Sequence, residues 1–436
     1  MIKDFAVENF LSFKDRQEIS FEATADTMAE DNLIYKVVHP KTGVTTRILR
    51  VNVIYGANAS GKTNILLALQ EVFSMLITCK RDKSDGVRHI PFALHKDNRT
   101  RFEVSFFFND IEYQYKIEYD SKIIYSESLR FNPNGAMSLF YKRDYDAEKN
   151  LPQISFGENA EVDTKAKKTI IENTFNNHTV LSTFDKVVFY APLIEQLYNW
   201  INAEIYSDMN GNDANIVSKA SDAIVDMMSD PIKRSFLFDY INTADFNIDD
   251  IQYEVRNIPL PEEVRGAIIA NDDLTEEQKA QLVSGKRVIN VNVEHSSDEE
   301  KFILPLTLES KGTLKTIEFS KKFYDIITSS SVFLNDEMGS AIHHELFVYF
   351  IQKFVVNEHK SQIIFTTHNQ MLLDESFMRR DMVWFVQKDS KTMGSEIYSA
   401  ADFRLHKNVS LLNAYKVGKF GAQPEVGSPF VNLDMQ

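Results

Sequence analysis

Arg50-Val51-Asn52-Val53-Ile54-Tyr55-Gly56-Ala57-Asn58-Ala59-Ser60-Gly61-Lys62-Thr63 is the stretch around which the chain is organised. Val51, Val53 and Ile54 are β-branched and suit a buried parallel strand, and Gly56 then opens a turn whose backbone must pass close to a bound group. Gly61, Lys62 and Thr63 close a G-x-x-x-x-G-K-T loop. Backbone N–H groups in such a loop point inward at phosphate oxygens, and the helix expected over residues 65–77 adds its positive N-terminal end. The pattern therefore gives Gly56, Asn58, Ala59, Ser60, Gly61, Lys62, Thr63 and Asn64 to a nucleotide. Lys62 is expected to reach the β- and γ-phosphates. Thr63 is expected to offer its hydroxyl to Mg2+, a hard cation that prefers oxygen ligands.

The other half of such a site is expected downstream. Val332-Phe333-Leu334-Asn335-Asp336-Glu337 is an apolar strand ending in two carboxylates, a Walker B arrangement. Asp336 is expected to hold Mg2+ through water, and Glu337 to orient the attacking water or accept its proton, because phosphoryl transfer needs a positioned nucleophile more than covalent help. A further strand, Gln362-Ile363-Ile364-Phe365-Thr366-Thr367, ends at His368, which at this spacing reads as the sensor of the γ-phosphate. Ahead of both, Leu308-Glu309-Ser310-Lys311-Gly312-Thr313 opens a helix expected over 314–327. A hydroxyl and bare N–H groups at a helix start suit a phosphate, although the same residues also serve as ordinary capping.

Composition bounds the rest. A chain of 436 residues with 43% hydrophobic residues can bury two or three compact units. The apolar-leaning run at 345–356 is too short to cross a bilayer, and Lys3, Asp4 and Glu8 interrupt any secretory signal, so a cytoplasmic protein with no membrane contact is expected. Cys79 is the single thiol and cannot form an internal disulfide. The net charge is −15, and residues 204–300 carry 21 acidic against 8 basic residues, leaving the remainder nearly neutral. A basic stripe, the usual footprint of a tight duplex-DNA binder, is not apparent.

Along the chain, residues 3–13 read as an opening strand with its antiparallel return at 19–21, and residues 102–143 give period-2 runs separated by turn residues, an antiparallel sheet of hairpins. Residues 164–242 read as mostly helical, clearest at 201–206 and 216–228, with a break at Asp230-Pro231. An acidic exposed stretch at 259–281 leads to an expected helix over 276–282 capped by Thr275. Strands are expected at 288–293 and 302–308, a helix at 371–377, and a last strand at 382–386.

The sequence resembles an ABC-type ATPase head of the kind shared by the RecF, SMC and OLD families, with Asn9-Phe10-Leu11-Ser12-Phe13 similar to their N-terminal strand. More closely it is similar to AAA-type ATPases of prokaryotic phage-defence and abortive-infection operons, the RloA and AbiL group. The matching residues are His89-Ile90-Pro91-Phe92, Glu309-Ser310-Lys311-Gly312-Thr313, Thr367-His368-Asn369, Arg379-Arg380-Asp381-Met382-Val383-Trp384-Phe385, and Tyr415-Lys416-Val417-Gly418 with Phe420-Gly421-Ala422. The resemblance implies an α/β fold: an ABC-ATPase-like P-loop head with an antiparallel β subdomain and a mostly helical inserted segment. Its expected division is an N-terminal half of the head at 1–160, an acidic insertion at 161–287 and a C-terminal half at 288–436.

It further implies ATP and Mg2+ as cofactors, and a homodimer or higher even oligomer in which Ser310, Lys311 and Gly312 of one subunit close over the nucleotide of the other. The signature departs from Leu-Ser-Gly-Gly, and Gly339 stands where an acidic residue follows Walker B in such heads. Two functions follow from the resemblance. One is an antiviral sensor and scaffold for a separately encoded effector, such as a TOPRIM-like nuclease. The other is a RecF-like DNA-maintenance ATPase that contacts DNA directly, which the charge distribution disfavours.

Overall fold

Val51–Tyr55 is buried along its whole length inside a six-stranded sheet. The order across it is Ile205–Asp208, Val332–Asn335, Gln362–Thr366, Val51–Tyr55, Val383–Lys388, Ser395–Ser399. The first five strands run parallel and the last is antiparallel. Parallel strands covered on both faces are unbroken apolar runs, which is why Val332–Asn335 and Gln362–Thr366 show no alternation. The computed structural model describes residues 1–209, 215–244, 247–271, 279, 286–296, 300–340, 342–357, 360–406 and 409–424.

The expected hairpins form a second, antiparallel sheet of seven strands: Leu151–Phe156, Ser138–Asp146, Ile124–Phe131, Ile111–Tyr119, Thr100–Phe108, Ile2–Glu8 and Gln17–Ser20. Helix Lys62–Ile77 joins this sheet to the central one. Its residues Ile65, Leu66, Leu69, Val72, Phe73 and Leu76 are buried in one apolar core with Phe5, Phe102, Phe106 and Ile364. Phe73 meets Phe106 edge-on with ring centroids 5.9 Å apart. Each such buried side chain stabilises the fold by about 1.5–3 kcal/mol.

A buried ion pair also braces this helix from the β lobe. Glu127 and Arg143 lie 3.5 Å apart, both inaccessible to solvent. Desolvating two ions costs several kcal/mol, so the fixed hydrogen bonds around them matter. Arg143 donates to the carbonyls of His178 and Phe175, and Glu127 accepts from Tyr141 and from the Val180 N–H. Thr179, in the same segment, donates to the carbonyl of Met75 at 2.8 Å and so seats the segment on the helix.

The chain divides into two compact units, Met1–Gly211 with Ser329–Ser340 and Phe347–Gln436, and Asn212–Thr328 with Ala341–Leu346. The second unit packs helices Ile216–Met227, Pro231–Thr243 and Lys311–Thr328 with a three-stranded antiparallel sheet, Ile248–Ile258, Lys286–Ser296 and Lys301–Pro305. The Asp230-Pro231 break is a helix start: Asp230 accepts from the N–H groups of Ile232 and Lys233.

Several sequence expectations are corrected. Residues 205–206 are strand, because Ile205 begins parallel pairing with Val332. Helix Thr164–Asn173 and helix Pro192–Glu204 lie in the first unit, with Ile170, Ile194, Leu197 and Ile201 buried in its core. The strands expected at 288–293 and 302–308 form as Lys286–Ser296 and Lys301–Pro305 in the second unit, where Val291 and Val293 are buried with its helices; the first pairs with Ile248–Ile258 and the second pairs with the first. Instead of a helix at 371–377 there is a short 3-10 turn, Gln370–Asp374, with the consecutive Leu372 and Leu373 both buried. The expected helix over 276–282 with its Thr275 cap lies outside the described residues.

Candidate nucleotide site

Three neighbouring parallel strands end on one edge of the central sheet, and residues of the expected site follow each. Val51–Tyr55 leads into the glycine-bounded loop, Val332–Asn335 into Asp336 and Glu337, and Gln362–Thr366 into Thr367 and His368. Register fixes the alignment, with Asn335 opposite Phe365 and Thr366 opposite Ile54. In open α/β sheets a ligand sits outside these carboxyl ends, where loops diverge.

The loop wraps closely. Gly56 has no room for a side chain, since a Cβ there would stand 2.4 Å from the carbonyl of Val386. Asn58 and Ala59 are exposed at the crest, and Ala59 takes a left-handed φ of 60°. Lys62 is buried to 7% exposure, and its ammonium donates to the carbonyls of Gly56 at 2.9 Å and Ala57 at 3.1 Å. Burial pulls the Lys62 ammonium below its ordinary range, and the carboxylates of Asp336 and Glu337 oppose that shift. A phosphate fits such a group: a desolvated cation held by neutral carbonyls gains most from a full anion. The Ser60 hydroxyl is buried without a hydrogen-bond partner among the described residues, a further donor on the loop.

The carboxylates meet the loop directly. Thr63 Oγ1 donates to Asp336 at 2.9 Å and 3.1 Å, so two oxygen donors suited to Mg2+ already converge. Glu337 takes φ 57°, and its Oε1 lies 3.9 Å from His368 Nε2, both side chains being about half exposed. A water beside Glu337 would therefore remain accessible from solvent.

Four contributors escape sequence reasoning. The carbonyl of Asp208, on a strand read as helix, accepts the Asp336 N–H at 3.1 Å. Thr366 hydrogen-bonds Asp336 at 2.6 Å. Ser395 donates to the carbonyl of Ser60 and lies 2.7 Å from Ser12 Oγ, which in turn accepts from Asn64 Nδ2 at 2.8 Å. Those two serines, one in a turn and one opening the edge strand, lie 383 residues apart in sequence, so spacing carries no signal for them. Ser310, Lys311 and Gly312 lie in the second unit, where Ser310 Oγ caps its helix by accepting the Thr313 N–H at 3.1 Å.

The serine brace makes Gly61 testable. Its φ is 109°, and a Cβ would stand 2.5 Å from both Ser12 Oγ and Ser395 Oγ. Gly61→Ala is expected to cost about 1–3 kcal/mol of stability through strain and overpacking. Thermal unfolding without nucleotide checks this, and an unchanged midpoint would show that the loop relaxes freely.

A family profile described as "AAA domain, putative AbiEii toxin, Type IV TA system" matches residues 51–374, from the first strand of the loop to beyond His368. The chain belongs to this AAA family. No curated protein sequence matches it. Among solved structures this AAA protein is similar to the SMC head domain from Thermotoga maritima, at 14% identity over 91% of this chain and 98% of that one, with a TM-score of 0.41. It is also similar to an SMC head bound to the C-winged helix domain of ScpA, at 12% identity over 95% and 99% with a TM-score of 0.34. A third, a Pyrococcus furiosus head with extended coiled coil bound to the C-terminal domain of ScpA, gives 12% identity over 96% and 98% and a TM-score of 0.33. At TM-scores this low, none of the three carries weight for the site. Among the described residues no helix is long and apolar enough to cross a membrane.

Proposed function

We propose that this AAA protein binds and hydrolyses ATP, and that it works as an even-numbered assembly controlling a separately encoded effector. The observation that carries the hydrolysis reading is the convergence of Lys62, Thr63, Asp336, Glu337 and His368 at the ends of three adjacent parallel strands. In this reading Lys62 neutralises the β- and γ-phosphates, and the loop from Gly56 to Asn64 wraps them. Thr63 and Asp336 would hold Mg2+, which when bound neutralises charge on the phosphate oxygens. Glu337 takes the proton of the attacking water, and His368 faces the γ-phosphate. Ser310, Lys311 and Gly312 complete the site of a second copy, as the resemblance to ABC-type heads implies.

The role in antiviral defence, within the RloA and AbiL group, rests on that resemblance and on a family description that names a toxin of a toxin–antitoxin system. It is favoured over direct DNA maintenance by charge. The excess of negative charge at 204–300 would repel a phosphate backbone.

The test is the steady-state ATPase rate of the purified chain with and without linear duplex DNA at moderate ionic strength. A Mg2+-dependent rate unaffected by DNA is the expected outcome. Stimulation by DNA would replace the effector reading with the RecF-like one, and absence of any turnover would overturn the enzymatic reading itself.

A further inference from the structure

Thr366 ends its strand fully buried, with a hydroxyl placed between the two acidic residues. Its Oγ1 donates to Asp336 Oδ1 at 2.6 Å and accepts the N–H of Glu337 at 2.8 Å. Its carbonyl accepts the N–H of Met338 at 2.9 Å. One residue thereby holds three consecutive positions of the turn after Walker B. A hydroxyl has one proton to give and lone pairs to spare, so both side-chain bonds are made at once. Valine would fill the same space and make neither.

Each bond has a separate consequence. Asp336 has two oxygens, and Thr366 engages Oδ1, leaving Oδ2 as the one nearer Thr63, at 2.9 Å against 3.1 Å. Glu337 adopts the left-handed φ of 57°, which a side-chain-bearing residue resists, and its amide bond to Thr366 is one of the contacts that hold it there. That backbone turn brings Glu337 to within 3.9 Å of His368.

We infer that Thr366 is a positioning residue whose hydroxyl sets both the Asp336 oxygen offered to Mg2+ and the direction of Glu337. The inference deepens the ATPase reading above and rests on it. It ties the strand bearing His368 to the two carboxylates by side-chain chemistry as well as by sheet pairing, so that a shift at His368 reaches both acids together.

The experiment compares wild type, Thr366→Val and Thr366→Ser in steady-state ATPase assays titrated separately with ATP and with Mg2+. Thr366→Val is expected to lower kcat about 10- to 100-fold, the usual cost of removing the partner behind a metal-binding carboxylate. It should also raise the Mg2+ concentration giving half the maximal rate while leaving KM for ATP nearly unchanged. Thr366→Ser, which keeps the hydroxyl, should recover most of kcat and the wild-type Mg2+ response. A Thr366→Val protein with wild-type kcat and Mg2+ response overturns the assignment. So does a Thr366→Ser protein as impaired as Thr366→Val, because the methyl group and not the hydroxyl would then matter. Thermal unfolding of each variant separates misfolding from loss of positioning, the serine variant remaining decisive if valine fails to fold. A wild-type chain inert toward ATP sinks the ATPase reading and this role with it, whereas wild-type turnover with unaltered Thr366→Val sinks the role alone.

Discussion

Glu337→Gln is expected to bind ATP with wild-type affinity and to turn it over about 10³-fold more slowly, within the range a positioned general base contributes. The substitution keeps the shape of the side chain and removes only its capacity to take a proton. Because Glu337 is half exposed and its backbone is held by the Thr366 hydroxyl, the fold should change in stability by no more than about 0.5 kcal/mol. ATP should therefore accumulate uncleaved in a correctly formed site. If the signature of a second copy closes over that nucleotide, the variant should double in mass on addition of Mg2+ and ATP, as read by light scattering. Wild-type turnover in Glu337→Gln would remove it as the proton acceptor. An unchanged mass would leave hydrolysis standing and defeat the paired-head arrangement, so the two halves of the proposal are separately exposed to refutation.

What could be read from the chain, and what could not, divides along the range of the interactions concerned. Lys62, Thr63, Asp336, Glu337 and His368 follow apolar strands in short patterns, and a parallel sheet turns short patterns into neighbours by aligning strand ends. The hairpins at 102–143 were legible because turn residues punctuate strict alternation. Ser12, Ser395 and Thr366 left no such trace. Serine and threonine occur everywhere, and their value here comes from tertiary approach, as when Ser395 reaches the carbonyl of Ser60 across 335 positions.

Ile205 departs from its expected helix for a related reason. Four residues of strand continuing directly from helix Pro192–Glu204 carry no period of their own, and pairing with Val332 decides their conformation. Unit membership is decided in the same way. Helical periodicity in Pro192–Glu204 marks an apolar face but not which core receives it, and that face packs with Phe106 and Phe108 through Trp200.

Lys62→Ala is expected to weaken ATP binding about 100-fold or more, since truncating one partner of a buried, hydrogen-bonded charge pair commonly costs 2–5 kcal/mol. The expectation follows from the state of the lysine before nucleotide arrives. Its side chain is largely buried and its ammonium is held by two carbonyls that offer partial charge only. Part of the desolvation that a phosphate contact requires has thus been met during folding, which strengthens the contact itself. The same reasoning predicts a small effect on the empty protein, because alanine removes a cation that burial disfavours while leaving the carbonyls of Gly56 and Ala57 within reach of water. Arginine should not substitute, because its planar guanidinium cannot act as a compact charge. Equilibrium binding of a fluorescent ATP analogue to wild type, Lys62→Ala and Lys62→Arg, with circular dichroism as the control for folding, decides the matter. Affinity within a few-fold of wild type in a folded Lys62→Ala protein would move the phosphates away from this loop, and with them the roles assigned to Thr63 and Asp336.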